Sequence, residues 1–106
     1  MTAVPSEFAE LTALIREFSE RRDWGRFHTP KNLAMAVSGE AGELVAEFQW
    51  LTAEESSLDS LTQEKLMAIA HEIADVQIYL LRLADVLSLY IPSIVREKIQ
   101  INEDRF

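Results

Sequence analysis

The chain has 106 residues, a formal net charge of −8 and no cysteine, which excludes a disulfide framework, a zinc–thiolate site and a thiol nucleophile. The excess of acidic side chains argues against a polyanion-binding surface, so no nucleic-acid polymer is expected and a phosphate ligand would have to arrive with metal. No apolar run reaches the ~18 residues of a membrane-spanning helix and no charged-then-apolar leader opens the chain, so we expect one soluble, cytoplasmic domain over residues 1–106 without a membrane partner.

The first predicted element is an amphipathic helix that begins after a possible N-cap at Ser6. Its apolar positions recur at spacings of three and four: Phe8, Leu11, Ile15 and Phe18. The connector that follows, WGRFH, has no helical period but contains two aromatic residues and a histidine. Two interpretations stay open for Trp24 and Phe27: they close the end of the bundle, or they face a ligand.

A second helix is predicted from Thr29, the N-cap, with Pro30 at the first helical position, to about Trp50. Its apolar positions are Leu33, Val37, Leu44 and Phe48. Gly39 and Gly42 lie inside this helix, where each should cost about 1 kcal/mol relative to alanine. We therefore expect a packed helix or a ligand to approach the backbone closely there.

A polar loop, residues 52–60, separates this helix from a third one, for which Ser60 and Thr62 are competing N-caps. The third helix carries one apolar stripe over about seven turns: Leu66, Ile69, Ile73, Val76, Leu80, Leu83 and Leu87. A second apolar set lies off that stripe, which predicts a central position or a subunit interface. A short fourth helix is expected after Pro92. No strand-like alternation occurs, so the predicted class is an all-α four-helix bundle.

The acidic residues form two pairs with the same spacing, Glu40 with Glu43 and Glu72 with Asp75. Residues at i and i+3 share a helix face, so two adjacent helices would gather four carboxylates. Two like charges ~6 Å apart repel by about 3 kcal/mol at an effective dielectric of ~20, and a bound cation removes this conflict. An all-oxygen ligand set favours Mg²⁺, with Mn²⁺ as an alternative. The other interpretation places the acids on solvated faces, although both pairs lie within apolar sequence.

Several motifs, in a fixed order along the chain, resemble those of a known enzyme family. An E-x-x-E pair and a later E-x-x-D pair on adjacent helices, with W-x-x-F-H-x-P-x-N before them and F-Q-W between them, resemble the MazG-like nucleotide pyrophosphohydrolases. The amino-acid sequences of these segments are similar to those of the dCTP pyrophosphatase-like branch. The resemblance covers about Phe18 to Phe106.

This resemblance implies hydrolysis of a (deoxy)nucleoside triphosphate, dCTP or a modified dCTP, to the monophosphate and pyrophosphate, a reaction that cleanses the nucleotide pool. It implies Mg²⁺ held by Glu40, Glu43, Glu72 and Asp75. Trp24 and Trp50 would enclose the base, and the other implied substrate contacts, some of them from a neighbouring subunit, are His28, Lys31, Asn32, Tyr79, Lys98, Asn102 and Arg105. A related all-α dUTPase-like activity is the enzymatic alternative.

Catalysis needs a proton acceptor for the attacking water, and a carboxylate that binds no metal can serve. Glu43 and Glu47 are the candidates, next to Glu40 in the same helix. Trp50 lies ten residues beyond Glu40, which is about 15 Å along a helix. Trp50 therefore need not lie at the metal site of its own subunit.

Two rival functions compete with this hypothesis. A ferritin-like di-iron bundle needs E-x-x-H pairs, but neither His28 nor His71 has a glutamate three residues before it. A non-enzymatic helical dimerisation or adaptor module would use its acids only for solubility. That alternative leaves the helix glycines and the WGRFH connector unexplained. In every case the apolar surplus of the third helix predicts a homodimer or homotetramer.

Overall fold

The computed structural model describes residues 6–106. These residues form four α-helices and one short 3₁₀ helix: α1 (Glu7–Arg21), the 3₁₀ helix (Gly25–Phe27), α2 (Pro30–Phe48), α3 (Gln63–Val86) and α4 (Ile91–Arg105). The described residues contain no strand. The predicted all-α class and the number of helices are therefore confirmed.

Three helices begin at side-chain caps that the sequence predicted. The hydroxyl of Ser6 accepts a hydrogen bond from the backbone N–H of Ala9, and that of Thr29 accepts from Asn32, with Pro30 in the first turn. Of the two competing caps of the third helix, Thr62 is used, since its hydroxyl accepts from the backbone N–H of Lys65. The second helix ends at Phe48, slightly before the predicted end.

Helices α2 and α3 pack against each other in an antiparallel arrangement. Lys65, near the start of α3, contacts Glu47 near the end of α2, whereas Arg82, near the end of α3, contacts His28 just before α2. Helix α1 packs on the C-terminal half of α3, where Arg16 pairs with Asp85. Among the described residues the buried apolar side chains are few: Leu33, Ile69, Leu81 and Ala84.

Helix α4 leaves the bundle at a bend of 97° to α3. At this bend Ser88 adopts a left-handed backbone conformation, with φ of 57°, and the N–H of Leu89 bonds the carbonyl of Ala84. The arrangement is a Schellman motif, which satisfies the last carbonyls of α3 and turns the chain. No single helix in residues 6–106 is both long and apolar enough to cross a membrane, although α3 and α4 taken together across their bend would meet that criterion.

The chain exposes more surface than a compact protein of its size. Its accessible surface is 8220 Å², against about 6,000 Å² expected for this mass. Its radius of gyration is 16.7 Å, against about 13 Å for a compact domain of this length. Apolar side chains on α1, α2, α3 and α4 contribute to this surface.

The expectation for the two helix glycines is not met by contacts within the chain. A Cβ atom built on Gly39 or Gly42 would have no atom of another element within 4 Å in the described structure. No helix of the described chain therefore makes the close approach, and the prediction that a packed helix or a ligand does so rests on a ligand or a second copy of the chain. Both positions lie on the exposed part of α2.

Candidate active site

Helices α2 and α3 bring acidic side chains together at the middle of their contact. Carboxylate oxygens of Glu40, Glu43 and Glu72 all lie within 4.8 Å of one another. Asp75 follows Glu72 by three residues and, with Glu40, lines the neighbouring cavity. We call these four residues the acidic cluster. The i, i+3 spacing places each pair on one helix face, and antiparallel packing brings the two faces into contact.

Two oxygens of the acidic cluster have no hydrogen-bond partner within residues 6–106. The Oε2 atoms of Glu40 and Glu72 are buried and accept no hydrogen bond from the described residues. Burial raises the pKa of both carboxyl groups, and the neighbouring charges of Glu43 and Asp75 raise it further. Acids that serve only solubility would face water. A cluster of partly desolvated oxygens without a counter-charge has instead the donor chemistry that a hard divalent cation requires.

Glu47 lies at the margin of the acidic cluster. Its Oε2 atom is 3.0 Å from the Nζ of Lys65, and its charge acts on Glu72. The carboxylate is therefore held in place by an ion pair between α2 and α3. Glu43, the other candidate for the proton acceptor, lies within the cluster itself.

A cavity of about 250 Å³ adjoins the acidic cluster, between α1, α2, α3 and the connector. Glu40 and Asp75 belong both to the acidic cluster and to the lining of this cavity. Its apolar and aromatic lining comes from Ile15, Phe18, Trp24 and Ile78, and its polar lining includes Ser19, His28, Tyr79 and Arg82. A planar ring would find aromatic surface here, and polar groups are available to bond its edge.

The end of α1 positions Trp24. Asp23 adopts a left-handed conformation with φ of 54°, and the N–H of Trp24 bonds the carbonyl of Ser19, which is the Schellman pattern. The ring of Phe18 then meets that of Trp24 edge to face, with 5.6 Å between centroids. Phe27 is exposed, with the guanidinium of Arg26 over its ring. Of the two connector aromatics, only Trp24 lines the cavity.

His28 is fixed by a hydrogen bond across the cavity. Its Nδ1 accepts from the Nε of Arg82 at 3.1 Å. Burial lowers the pKa of the imidazole, and the charge of Arg82 lowers it further. His28 is therefore neutral near pH 7, and because Nδ1 accepts, the ring proton lies on Nε2.

The other predicted substrate residues are not brought to the cavity by this chain. Trp50 is 87% exposed, and Lys31 lies on the exposed start of α2. The side-chain amide of Asn32 donates a hydrogen bond to the carbonyl of Phe27. Asn32 therefore holds the connector against the first turn of α2. The remaining three lie on α4, which leaves the bundle: Lys98, Asn102 and Arg105.

Arg82 was not predicted from the sequence as a residue of this cavity. This residue lies in the apolar run Leu80-Leu81-Arg82-Leu83, seven positions after Asp75. A charge inside such a run, in phase with an acidic pair, was a signal that could have identified it. In the structure its side chain is buried and lines the cavity.

No family model matches the chain. Individual relatives and a solved structure nevertheless place it in a family. It is 36% identical to human dCTP pyrophosphatase 1 over an alignment of 113 positions, gaps included, that covers 99% of this chain. The crystal structure of a pyrophosphatase from Archaeoglobus fulgidus matches it with a TM-score of 0.89 and 36% identity, over 100% of this chain and 97% of that one. The chain belongs to the MazG-like pyrophosphatases.

Membership in the MazG-like family confirms the resemblance that the ordered motifs indicated, including its dCTP pyrophosphatase-like branch. Mouse dCTP pyrophosphatase 1 is also 36% identical, over 92% of this chain. The chain spans 66% of the length of the human relative and 57% of the mouse one, so it covers less than two thirds of either.

Proposed function

We propose that this protein hydrolyses a (deoxy)nucleoside triphosphate, dCTP or a modified dCTP, to the monophosphate and pyrophosphate, and that it requires Mg²⁺. One observation carries the proposal: a cluster of carboxylates with two buried, unpartnered oxygens adjoins a cavity with an aromatic lining. The two features match the two ends of a nucleotide. The names of the human and mouse relatives support the choice of dCTP.

The acidic cluster would hold the metal through Glu40, Glu43, Glu72 and Asp75. These residues offer only oxygen donors, and the unpartnered Oε2 atoms of Glu40 and Glu72 fit that role. When bound, Mg²⁺ would neutralise phosphate charge and make a coordinated water more acidic. The cluster alone would repel a triphosphate, so substrate and metal should bind together.

Glu47 is the neighbouring carboxylate that would bind no metal in this arrangement. Lys65 holds it at 3.0 Å, beside Glu72 in the cluster. We therefore favour Glu47 over Glu43 as the group that takes the proton from the attacking water. The ion pair fixes the carboxylate in one orientation, which a general base needs.

A second copy of the chain would complete the structure as a homodimer or homotetramer. A groove of about 500 Å³ between α3 and α4 is lined almost entirely by apolar side chains, among them Leu80, Leu83, Leu87, Ile94 and Val95. The excess exposed surface, about 2,000 Å² over a compact protein of this mass, is of the size that a stable interface buries.

The same association would supply the substrate contacts that one chain lacks. Helix α4 carries Lys98, Asn102 and Arg105 away from the chain's own acidic cluster, and Trp50 is exposed at the end of α2. We propose that these residues reach the active site of a neighbouring subunit. The positive charges of Lys98 and Arg105 would then hold phosphate oxygens.

An assay of pyrophosphate release tests the function. Canonical and 5-substituted triphosphates are supplied to the wild type with Mg²⁺, with Mn²⁺ and with a chelator. Turnover should require the metal, and Glu72→Gln should reduce it at least about 100-fold. The matched control is Glu64→Gln, which removes an exposed acid from the first turn of α3 and should leave turnover unchanged. Absence of pyrophosphate release from every triphosphate overturns the proposal.

A further inference from the structure

One face of α3 connects the acidic cluster to a buried cation. Glu72, Asp75, Tyr79 and Arg82 follow one another at spacings of three and four, so they lie on one side of the helix. Arg82 is about 10 Å beyond Asp75 along the axis. A ligand whose phosphates lie at the cluster, and which extends along α3 into the cavity, therefore reaches Arg82 with its far end.

The guanidinium of Arg82 is held in a fixed plane. Arg82 is only 8% exposed. Its Nε donates to Nδ1 of His28 at 3.1 Å, and its Nη1 donates to Oδ2 of Asp85 at 3.2 Å. Asp85 is itself held by Arg16, through contacts of 2.6 and 2.9 Å. This network orients a planar donor group, as a recognition site requires.

The network leaves donors available. A guanidinium has five N–H groups, and the bonds to His28 and Asp85 use two of them. The remaining three lie on Nη1 and Nη2, and no acceptor in residues 6–106 is bonded to them. Because Nδ1 of His28 already accepts a bond, that ring can offer the cavity only its N–H. The polar groups of Arg82 and His28 thus present donors to whatever occupies the cavity.

We propose that Arg82 selects cytosine by donating two parallel N–H groups to the adjacent acceptors N3 and O2 of the base. The inference rests on the proposed function and names its substrate class. Uracil and thymine carry an N–H at position 3, which would oppose the N–H of Arg82 donor to donor. A buried donor pair therefore rejects them, whereas cytosine satisfies both bonds. Phe18 and Trp24 supply the aromatic surface next to the ring.

The experiment compares kcat/KM for dCTP and dUTP in the wild type, Arg82→Met and Arg82→Lys. The wild type should prefer dCTP, and Arg82→Met should reduce the dCTP/dUTP ratio at least about 10-fold, mainly through loss of dCTP turnover. Arg82→Lys keeps the charge but cannot form two parallel bonds in one plane, so its ratio should fall between the two. Binding of dCMP and dUMP with Mg²⁺ gives the same comparison without turnover.

Arg16→Met is the matched control. Arg16 bonds both carboxylate oxygens of Asp85 and is not among the residues that line the cavity. Its loss should lower the Tm while most of the dCTP preference remains. An equal loss of the ratio in Arg16→Met and Arg82→Met would show that the network, and not a contact with the base, sets the preference, which overturns the inference.

The remaining outcomes separate the inference from the proposed function. Equal turnover of dCTP and dUTP by the wild type, a preference for dGTP over dCTP, or an unchanged ratio in both Arg82 variants overturns the role of Arg82 while hydrolysis itself stands. Failure to hydrolyse any triphosphate overturns the proposed function. In that case the binding of dCMP against dUMP still decides the role of Arg82. If Arg82→Met does not fold, Arg82→Lys carries the test.

Discussion

Glu40 on α2 and Glu72 on α3 each bury one carboxylate oxygen, Oε2, that accepts no hydrogen bond from the described chain. The two side chains approach Glu43 so closely that carboxylate oxygens of all three lie within 4.8 Å of one another. Packing of the two helices therefore holds like charges together against their repulsion. An arrangement of this kind lowers stability in the absence of a cation and gains from its binding.

The first prediction concerns the stability of the metal-free protein. Glu72→Gln keeps the shape of the side chain but removes one charge from the acidic cluster, so the metal-free Tm should rise by a few degrees. Addition of Mg²⁺ should stabilise the wild type more than this variant. Thermal unfolding in chelator and in Mg²⁺ measures both effects, and Glu64→Gln on the exposed face of α3 is the control. A lower metal-free Tm for Glu72→Gln would contradict the account of the cluster.

The cluster could be predicted from sequence because its geometry is local. The i, i+3 spacing fixes which carboxylates share a face, and only the adjacency of two helices had to be added. The caps at Ser6 and Thr29 are local for the same reason. The cap at Thr62 was undecided, since Ser60 two positions earlier has similar chemistry, and the structure places Ser60 in the loop, where it bonds Ser57.

Other parts of the site depend on contacts between distant residues. The network of Arg16, Asp85, Arg82 and His28 joins α1, α3 and the connector, and no pattern within one helix announces such a network. The direction of α4 depends on the left-handed conformation of Ser88. Glycine would have signalled that turn, whereas serine gives no such signal. The close approach expected at Gly39 does not occur within the described chain, which leaves that face of α2 uncovered.

The second prediction concerns acid stability. A hydrogen bond from Arg16, followed by the charges of Arg16 and Arg82, holds the pKa of the Asp85 carboxyl below its usual value. A depressed folded pKa contributes stability that is complete above the unfolded value of about 4 and is lost as pH falls through the folded pKa. Because Arg16 is half exposed, Asp85→Asn should cost only about 1 kcal/mol at neutral pH.

Urea denaturation of the wild type and Asp85→Asn at pH 7, 5, 4 and 3 measures this contribution. The difference in unfolding free energy should be constant from pH 7 to 5 and should shrink below about pH 4. A difference that persists unchanged at pH 3, where unfolding can still be followed, would assign the loss to packing and not to the ion pair.

The third prediction concerns association. Val95 lines the apolar groove and is exposed in the single chain, so Val95→Glu should place a charge in the interface and shift the protein toward monomer at micromolar concentration. Ser93→Glu adds the same charge to α4 at a position outside the groove lining and should leave the assembly intact. Sedimentation of the three proteins checks this. A wild type that is monomeric under these conditions would contradict the proposed assembly.

A shared active site makes a further result of association measurable. Glu72→Gln damages the acidic cluster, and Arg105→Ala damages the residues supplied by α4. If α4 serves the neighbouring subunit, mixed oligomers of these two inactive variants contain some sites with neither defect and should recover part of the activity. Mixing should restore nothing if each chain completes its own site.

The last prediction separates the two tryptophans. Trp24 lines the cavity and packs edge to face on Phe18, whereas Trp50 is 87% exposed. Stacking on an aromatic ring contributes about 1–3 kcal/mol per base, so Trp24→Ala should raise the KM several-fold and also lower the Tm. Trp24→Phe keeps an aromatic surface and should restore most of both. Because the Trp50 side chain is almost entirely exposed in the single chain, a higher KM in Trp50→Ala would mean that Trp50 covers the base in a neighbouring subunit. KM values for dCTP together with thermal unfolding distinguish these cases. An unchanged KM in Trp24→Ala, with a loss of Tm alone, would assign Trp24 to packing and remove it from the nucleotide site.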